Sequence, residues 1–147
     1  MNPRPDPSLP VRSSIVPDAR ALILCVERDP HVRELEAYFL DQAGCVVHFV
    51  ENGSQALEHA RSLKPSIIIT EILVPGLDGL ALCRQLKATP ETRAIPVVIF
   101  SVLAAQERAR EAGAAAFLKK PLAEHRLVQV VRDLLAPSKP SAATGSA

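Results

Sequence analysis

Short apolar segments alternate with amphipathic segments five times between about residue 20 and residue 136. The apolar runs lie at residues 21–26, 45–50, 66–71, 97–100 and 115–118. A stretch with apolar residues at helical spacing follows each run, and these stretches begin near residues 30, 54, 78, 104 and 121. Five consecutive βα units with short connections predict a parallel sheet with helices on both faces, because each crossover has to be right-handed.

The two ends of the chain differ in composition from its middle. Residues 1–19 contain five prolines and few apolar side chains, and residues 137–147 are mostly small or polar. We predict a disordered proline-rich arm at 1–19, one folded domain at 20–136 and a flexible tail at 137–147. Whether the chain works alone or within a longer protein stays open at this stage.

Composition and charge exclude several classes of function. The net charge of +1 leaves no electrostatic footprint for nucleic acid or for an anionic membrane, so we expect neither as a partner. No apolar run approaches the ~20 residues of a membrane-spanning helix, and the first residues lack the apolar segment of a signal peptide. We therefore expect a cytoplasmic protein. Cys25, Cys45 and Cys83 form no C-x-x-C motif, which predicts buried, reduced thiols.

The stretch from Ile67 to Gly79, IIITEILVPGLDG, carries the first candidate functional residue. Three isoleucines and Thr70 predict a strand that is buried on both faces. Glu71 follows where this strand would end, and the carboxyl ends of parallel strands are where such sheets place ligand chemistry. Asp78 is in position to cap the next helix. A carboxylate directly after four buried positions marks a candidate site, because burying a charge without a partner is costly.

Taken in order, the motifs of this chain resemble those of the receiver domain of two-component response regulators. They are the acidic cluster Glu27–Pro30, the P-G-x-D-G turn that ends at Gly79, Ile95–Val98 leading to Ser101, and Gly113–Ala114 leading to Lys119–Pro121. The resemblance covers about residues 21–136. It implies an α/β fold of the flavodoxin-like (βα)5 type, a three-layer sandwich with five parallel strands in the order 2-1-3-4-5.

The resemblance also implies roles for particular residues. In receiver domains the acid after the third strand is an aspartate that accepts a phosphoryl group from a histidine kinase, and two acids after the first strand help it to hold Mg²⁺. A Ser or Thr after the fourth strand and a Lys before a proline bind the phosphoryl oxygens, and an aromatic residue on the fifth strand acts as the switch. Ser101, Lys120 and Phe117 match these three positions.

The remaining positions of the motif depart from the family. Glu71 stands where the family has the phosphoacceptor aspartate, and the acid pair is Glu27–Arg28, so a cation replaces one metal ligand. Mg²⁺ requires several oxygen ligands in near-ideal geometry, so we expect weak or absent Mg²⁺ binding, no metal or other cofactor, and no catalytic residue. Ser101 and Lys120 are also closer in sequence than is usual, which predicts a shortened fourth helix.

Two interpretations of Glu71 stay open. Its longer side chain could reach Ser101 and Lys120 and imitate a phosphoryl group, or it could form a structural ion pair with Lys120 or Arg28. An arginine that points into the crevice would occupy the place of the metal as a fixed counter-ion. Both interpretations define one degenerate phosphoacceptor site, made of Glu71, Glu27, Arg28, Ser101 and Lys120.

The sequence favours a non-enzymatic, phosphorylation-independent pseudo-receiver that acts as a protein–protein interaction module. Its partner would be a histidine kinase or a downstream signalling protein, and it would form homodimers through the fourth helix, fifth strand and fifth helix. The alternative is a weakly phosphorylatable, Mg²⁺-dependent response regulator. A third interpretation, a domain that binds a small ligand in the same crevice, has no sequence signature, and the glycines match no nucleotide-binding motif.

Overall fold

Strands and helices alternate along the whole of the described chain, which in this computed structural model comprises residues 20–121 and 124–137. The strands are β1 (Ala21–Val26), β2 (Cys45–Val50), β3 (Ile67–Thr70), β4 (Val97–Ser101) and β5 (Ala116–Lys119). The helices are α1 (Pro30–Gln42), α2 (Gly53–Leu63), α3 (Gly79–Ala88), α4 (Gln106–Glu111) and α5 (Glu124–Leu135). The predicted arm at 1–19 and all but the first residue of the predicted tail lie outside the described residues, so those two predictions remain untested.

The five strands form one parallel sheet in the order β2-β1-β3-β4-β5. This confirms the predicted flavodoxin-like (βα)5 architecture. The register places Val26 beside Thr70 and Thr70 beside Ile99, while Ser101 lies beside Lys119. The chain therefore leaves β1, β3, β4 and β5 at one edge of the sheet.

The sheet divides the core into two layers because side chains alternate between its faces. In β3, Ile68 packs in the layer that contains buried residues of α2, α3 and α4, whereas Ile67 and Ile69 pack in the layer with α1 and α5. All four residues of β3 are buried. A strand covered on both faces has to be apolar throughout, which explains the unbroken isoleucine run.

The helices begin at side-chain caps that the sequence predicts in part. Asp29 caps α1 by accepting a hydrogen bond from the backbone nitrogen of His31, as its position before Pro30 suggests. Asp78 caps α3 by accepting from the backbone nitrogens of Leu80 and Ala81, each at 2.9 Å. The prediction that Asp78 is a helix cap is therefore confirmed.

The structure departs from the sequence prediction on the inner face of α1. The apolar residues of α1 at helical spacing include Val32, Leu35 and Phe39, which predicts that Leu35 faces inward, but Leu35 is 56% exposed. Glu36 is buried in its place, at 2% exposure. The helix is thus rotated toward the row formed by residues 32, 36 and 40, because Leu40 is fully buried on that row. A carboxyl group consequently enters the core layer.

Three further expectations can be compared with the structure. Helix α4 has six residues, which agrees with a shortened fourth helix, and α5 begins at Glu124 rather than at Pro121. Cys25, Cys45 and Cys83 are free and buried, as predicted. Among the described residues, none of the helices is both long and apolar enough to span a membrane.

Candidate functional site

The residues that follow β1, β3 and β5 meet the end of β4 at the carboxyl edge of the sheet. Glu27 is 3% exposed, Glu71 is 6% exposed and Ser101 is fully buried. The side chain of Lys120 is 10% exposed. Four polar groups that are distant in sequence thus form one buried cluster, which we call the Glu71 cluster.

Glu71 is hydrogen-bonded through both carboxylate oxygens. Its Oε1 atom accepts a hydrogen bond from the backbone nitrogen of Ile72 at 2.6 Å and another from the hydroxyl group of Ser101. Its Oε2 atom lies 3.0 Å from Nζ of Lys120 and 3.4 Å from the backbone nitrogen of Val102. The carboxylate therefore joins the ends of three strands, β3, β4 and β5.

Lys120 bridges two carboxylates. Its Nζ atom lies 2.7 Å from Oε1 of Glu27 and 3.0 Å from Oε2 of Glu71, and it also lies 5.2 Å from the centre of the Phe100 ring. The second oxygen of Glu27 accepts a hydrogen bond from the backbone nitrogen of Asp29 at 3.1 Å. One ammonium group thus contacts two buried carboxylates, with an aromatic ring beside it.

These contacts determine the charge states of the cluster. Burial alone raises the pKa of Glu71, but the hydrogen bonds from Ser101 and Lys120 outweigh burial and hold this pKa below its usual value. Burial alone lowers the pKa of Lys120, but its hydrogen bonds to Glu27 and Glu71 outweigh burial and raise that pKa. At neutral pH the cluster therefore contains an ionised Glu71 beside a protonated Lys120.

Arg28 does not enter the crevice. Its side chain is exposed, and none of the hydrogen bonds or ion pairs found within the described residues involves it. The expectation of an arginine that takes the place of the metal, or that pairs with Glu71, is therefore not met. A physical reason is that the ammonium group of Lys120 already lies between the two carboxylates, so burying the guanidinium there as well would cost the desolvation of a second cation.

Phe117 lies on β5, opposite Ile99 of β4 and three residues before Lys120. It is half-buried and packs against the core layer that contains Ile99. Lys119 beside it is exposed. Phe117 thus lies on the strand that Lys120 directly follows, and its role as a switch stays a prediction.

Glu36 is the notable residue that the sequence prediction missed. It is buried beside the Glu71 cluster, and its Oε1 atom has no hydrogen-bond partner among the described residues. Burial, followed by the charge of Glu27, raises the pKa of Glu36 to about 8, although the positive charges of Lys120 and Arg33 oppose this. The spacing in the sequence could have predicted its burial, because Glu36 lies four residues from Val32 and four from Leu40 and so shares one face of the helix with them.

Comparison with known proteins identifies the family. The model of the response regulator receiver domain matches residues 23–132 of this chain. This chain belongs to the response regulator receiver domain family. Domains of this family are generally signalling modules rather than enzymes, and they interact with histidine kinases or with downstream proteins.

Curated relatives of this receiver domain include longer proteins. The response regulator MprA of Mycobacterium leprae is 34% identical over 127 residues, which cover 84% of this chain and 55% of MprA. A gliding motility regulatory protein of Myxococcus xanthus is 36% identical over 104 residues, which cover 69% of this chain but 13% of that protein. The receiver domain therefore spans about half the length of the first of these relatives and a small part of the second.

Solved structures match the receiver domain over most of its length. The signal receiver domain of a histidine kinase from Syntrophus aciditrophicus has a TM-score of 0.73 and 33% identity, with 86% of this chain and 95% of that one covered. The receiver domain of a sensor histidine kinase from Pseudomonas aeruginosa, which has a magnesium ion coordinated in its active site cleft, has a TM-score of 0.72 and 26% identity. In that comparison 79% of this chain and 98% of the other are covered.

The donor set of this receiver domain does not fit such a magnesium ion. Within the described ranges, no group of three or more His, Cys, Asp or Glu side chains is arranged to hold a metal. Glu27 and Glu71 are both bound to Lys120, and Arg28 stands where the family supplies a second acid. Mg²⁺ favours near-octahedral oxygen coordination, and two carboxylates that are already bound to an ammonium group do not supply it.

Proposed function

We propose that this receiver domain works without phosphorylation, as an atypical pseudo-receiver that binds protein partners in two-component signalling. The observation that carries the proposal is the contact set of Glu71. Its carboxylate binds the hydroxyl group of Ser101 and the ammonium group of Lys120, the two residues that the family resemblance assigns to the phosphoryl group. The donors for a phosphoryl group are therefore bound by a side chain of the domain itself.

The charge balance of the Glu71 cluster supports the same proposal. A phosphoryl group carries a charge of about −1.5 to −2 at neutral pH. Its negative charge would add to that of Glu27, and Lys120 would be the cation in contact with both. The exposed Arg28 makes none of the ion pairs seen in the described chain. Phosphoryl transfer generally relies on a metal ion to neutralise the developing charge. We therefore propose that Mg²⁺ binding is weak or absent and that Glu71 is a poor phosphoryl acceptor.

The decisive experiment is incubation of the full chain with acetyl phosphate and Mg²⁺, followed by intact mass measurement. We expect no mass gain of one phosphoryl group in the natural protein. The matched control is the double variant Arg28→Asp with Glu71→Asp, which restores the acidic residues typical of the family. A phosphoryl group that maps to Glu71 in the natural protein would instead support the alternative, a weakly phosphorylatable Mg²⁺-dependent response regulator.

A second measurement separates a phosphoryl mimic from a structural ion pair. The mimic interpretation is supported by the contacts of Glu71 with Ser101 and Lys120, which join β3 to β4 and β5. If Glu71 holds an activated conformation, then Glu71→Asp should shift the NMR amide signals of Phe117 and of α4, because the shorter side chain withdraws from Ser101. If Glu71 is only a structural partner of Lys120, the shifts should stay within the residues that contact it.

The partner surface that we propose consists of α4, β5 and α5. Phe117 is half-buried there, and a surface cavity of ≈ 460 Å³ lies between Gln106 of α4, Phe117 of β5 and His125 of α5. We propose that this face contacts a histidine kinase or a downstream signalling protein and also forms homodimers. Sedimentation of the full chain tests the homodimer, and an exclusively monomeric protein at high concentration would contradict it.

A further inference from the structure

A cavity of ≈ 350 Å³ lies between α1 and the end of β5, beside the Glu71 cluster. Its apolar wall includes Val32, Leu35, Phe39, Phe100, Val102 and Leu127. Its polar lining comes from Glu36, Asp29 and Lys120. An apolar cavity of this volume with a few polar groups has the usual character of a site for a small organic molecule.

Glu36 adds a buried carboxyl group to the wall of this cavity. Its side chain is 2% exposed, it lines the cavity, and its Oε1 atom lacks a hydrogen-bond partner among the described residues. A buried polar atom without a partner costs stability, so such atoms are rare in folded proteins. An apolar side chain at this position would avoid the cost. The unpaired carboxyl group therefore indicates that a ligand in the cavity would supply its hydrogen-bond partner.

The charges around the cavity decide which ligand would be accepted. Glu27 and Glu71 lie beside Glu36, and Asp29 lies in the cavity wall, so acids outnumber the nearby cations. Lys120 is bound to Glu27 and Glu71. Arg33, the other cation near Glu36, pairs with Glu51 at 3.1 Å. An incoming cation would therefore be attracted, and an incoming anion would be repelled.

We propose that this cavity binds a small organic cation, a primary ammonium group on an apolar body, with the ammonium group donating a hydrogen bond to Glu36. The apolar body would lie against the side chains of Val32, Phe39 and Leu127. Charge-assisted hydrogen bonds of this kind are stronger than neutral ones. The inference goes beyond the proposed function, since it does not depend on how Glu71 responds to phosphodonors.

Three probes with the same phenyl body test the charge requirement. The full chain is titrated with phenethylammonium, phenethyl alcohol and phenylacetate, and the methyl signals of Val32, Leu35 and Leu127 are followed by NMR. We expect phenethylammonium to shift these signals and to bind about tenfold more tightly than the alcohol, and phenylacetate to bind most weakly. Equal affinity of the three probes, or tighter binding of phenylacetate, would overturn the proposal.

Two variants of α1 test the role of Glu36. Glu36→Gln keeps the shape of the side chain but cannot ionise, whereas Glu36 can release its proton when an ammonium group binds beside it, so we expect the substitution to weaken phenethylammonium binding by about tenfold. The matched control is Glu34→Gln, which removes an exposed acid from the same helix and should leave the affinity unchanged. Binding that is unaffected by Glu36→Gln would show that Glu36 is not the recognition group.

A third variant keeps the test valid if Glu36→Gln proves unstable. Leu35→Trp enlarges a side chain that is 56% exposed and lines the cavity, so the fold should tolerate it while the cavity becomes smaller. We expect this variant to lose phenethylammonium binding although Glu36 is retained. Retained affinity in Leu35→Trp, or the absence of binding by all three probes to the natural protein at millimolar concentration, would reject the proposed site.

Discussion

Lys120 controls the charge balance of the candidate site, because both Glu27 and Glu71 are buried against its ammonium group. A buried ion pair contributes little net stability compared with apolar residues, yet removing one partner leaves an uncompensated charge. In this protein the loss of one cation would expose two carboxylates to each other. The stability of the fold should therefore depend strongly on Lys120.

We predict that Lys120→Met destabilises the fold by roughly 3–5 kcal/mol, the range seen when one partner of a buried pair is removed. Urea unfolding measures this difference. Lys119→Met is the matched control, since Lys119 is the neighbouring residue and is exposed, and its effect should be small. Equal effects of the two substitutions would show that the ion pairs of Lys120 contribute no more than surface charge.

Glu36 gives the protein a characteristic pH dependence. Its pKa rises from 4.5 to about 8 in the folded state, chiefly through burial. Between these two values the folded protein keeps a proton that the unfolded chain has released, so stability falls as the pH rises through this window. Lys120 and Arg33 oppose the shift, whereas Glu27 and Glu71 add to it.

We predict that Glu36→Leu is more stable than the natural protein near neutral pH and loses less stability between about pH 5 and pH 8. The gain should be of the order of a few kcal/mol at most, because desolvation of the carboxyl group is removed while apolar packing is added. Urea unfolding at a series of pH values checks this. Glu34→Leu should keep the pH slope of the natural protein, and an unchanged slope in Glu36→Leu would contradict the prediction.

At the scale of elements, the strands were easier to predict than the rotation of the helices. The predicted bounds of β1 and β2 agree with the structure. For β1 the reason is that a buried parallel strand is an unbroken apolar run with polar residues at its ends. Two adjacent rows of side chains on helix α1 could face the core, one through Leu35 and one through Glu36. The number of apolar residues in each row favours the first. Tertiary packing selected the second, since Leu40 fills the core there.

We predict that Asp78→Ala destabilises the protein by about 1 kcal/mol through loss of the cap of α3. The carboxylate of Asp78 accepts hydrogen bonds from the backbone nitrogens of Leu80 and Ala81, which would otherwise lack helical partners. Chemical denaturation measures the loss. Asp78→Ser retains a capping oxygen and should recover most of the stability, whereas identical values for both variants would exclude capping as the cause.

At the scale of the whole molecule, the order and direction of the strands predict that the site residues meet. Glu71, Ser101 and Lys120 were expected to meet because parallel strands end at one edge of the sheet, and the structure brings them into contact. The outward direction of Arg28 was not predictable from its position. It depends on Lys120 lying between both carboxylates, which is a property of side-chain geometry at the ends of three strands.

We predict that Mg²⁺ leaves the melting temperature of the natural protein unchanged, because a ligand stabilises a fold only when it binds the folded state. The double variant Arg28→Asp with Glu71→Asp should gain stability on addition of Mg²⁺, since it supplies the missing carboxylate and frees space beside Lys120. Thermal unfolding with and without millimolar Mg²⁺ makes the comparison. A clear increase for the natural protein would refute the proposed loss of the metal site.

The occupied donors of Ser101 and Lys120 also bear on how such a protein would carry information. A phosphorylated receiver reports the fraction of its copies that are modified, and dephosphorylation resets it. A domain whose own Glu71 fills those donors has no modified fraction to report and nothing to reset. Under the proposed function, its output would follow the number of copies in the cell, so synthesis and degradation would set the strength and duration of the signal.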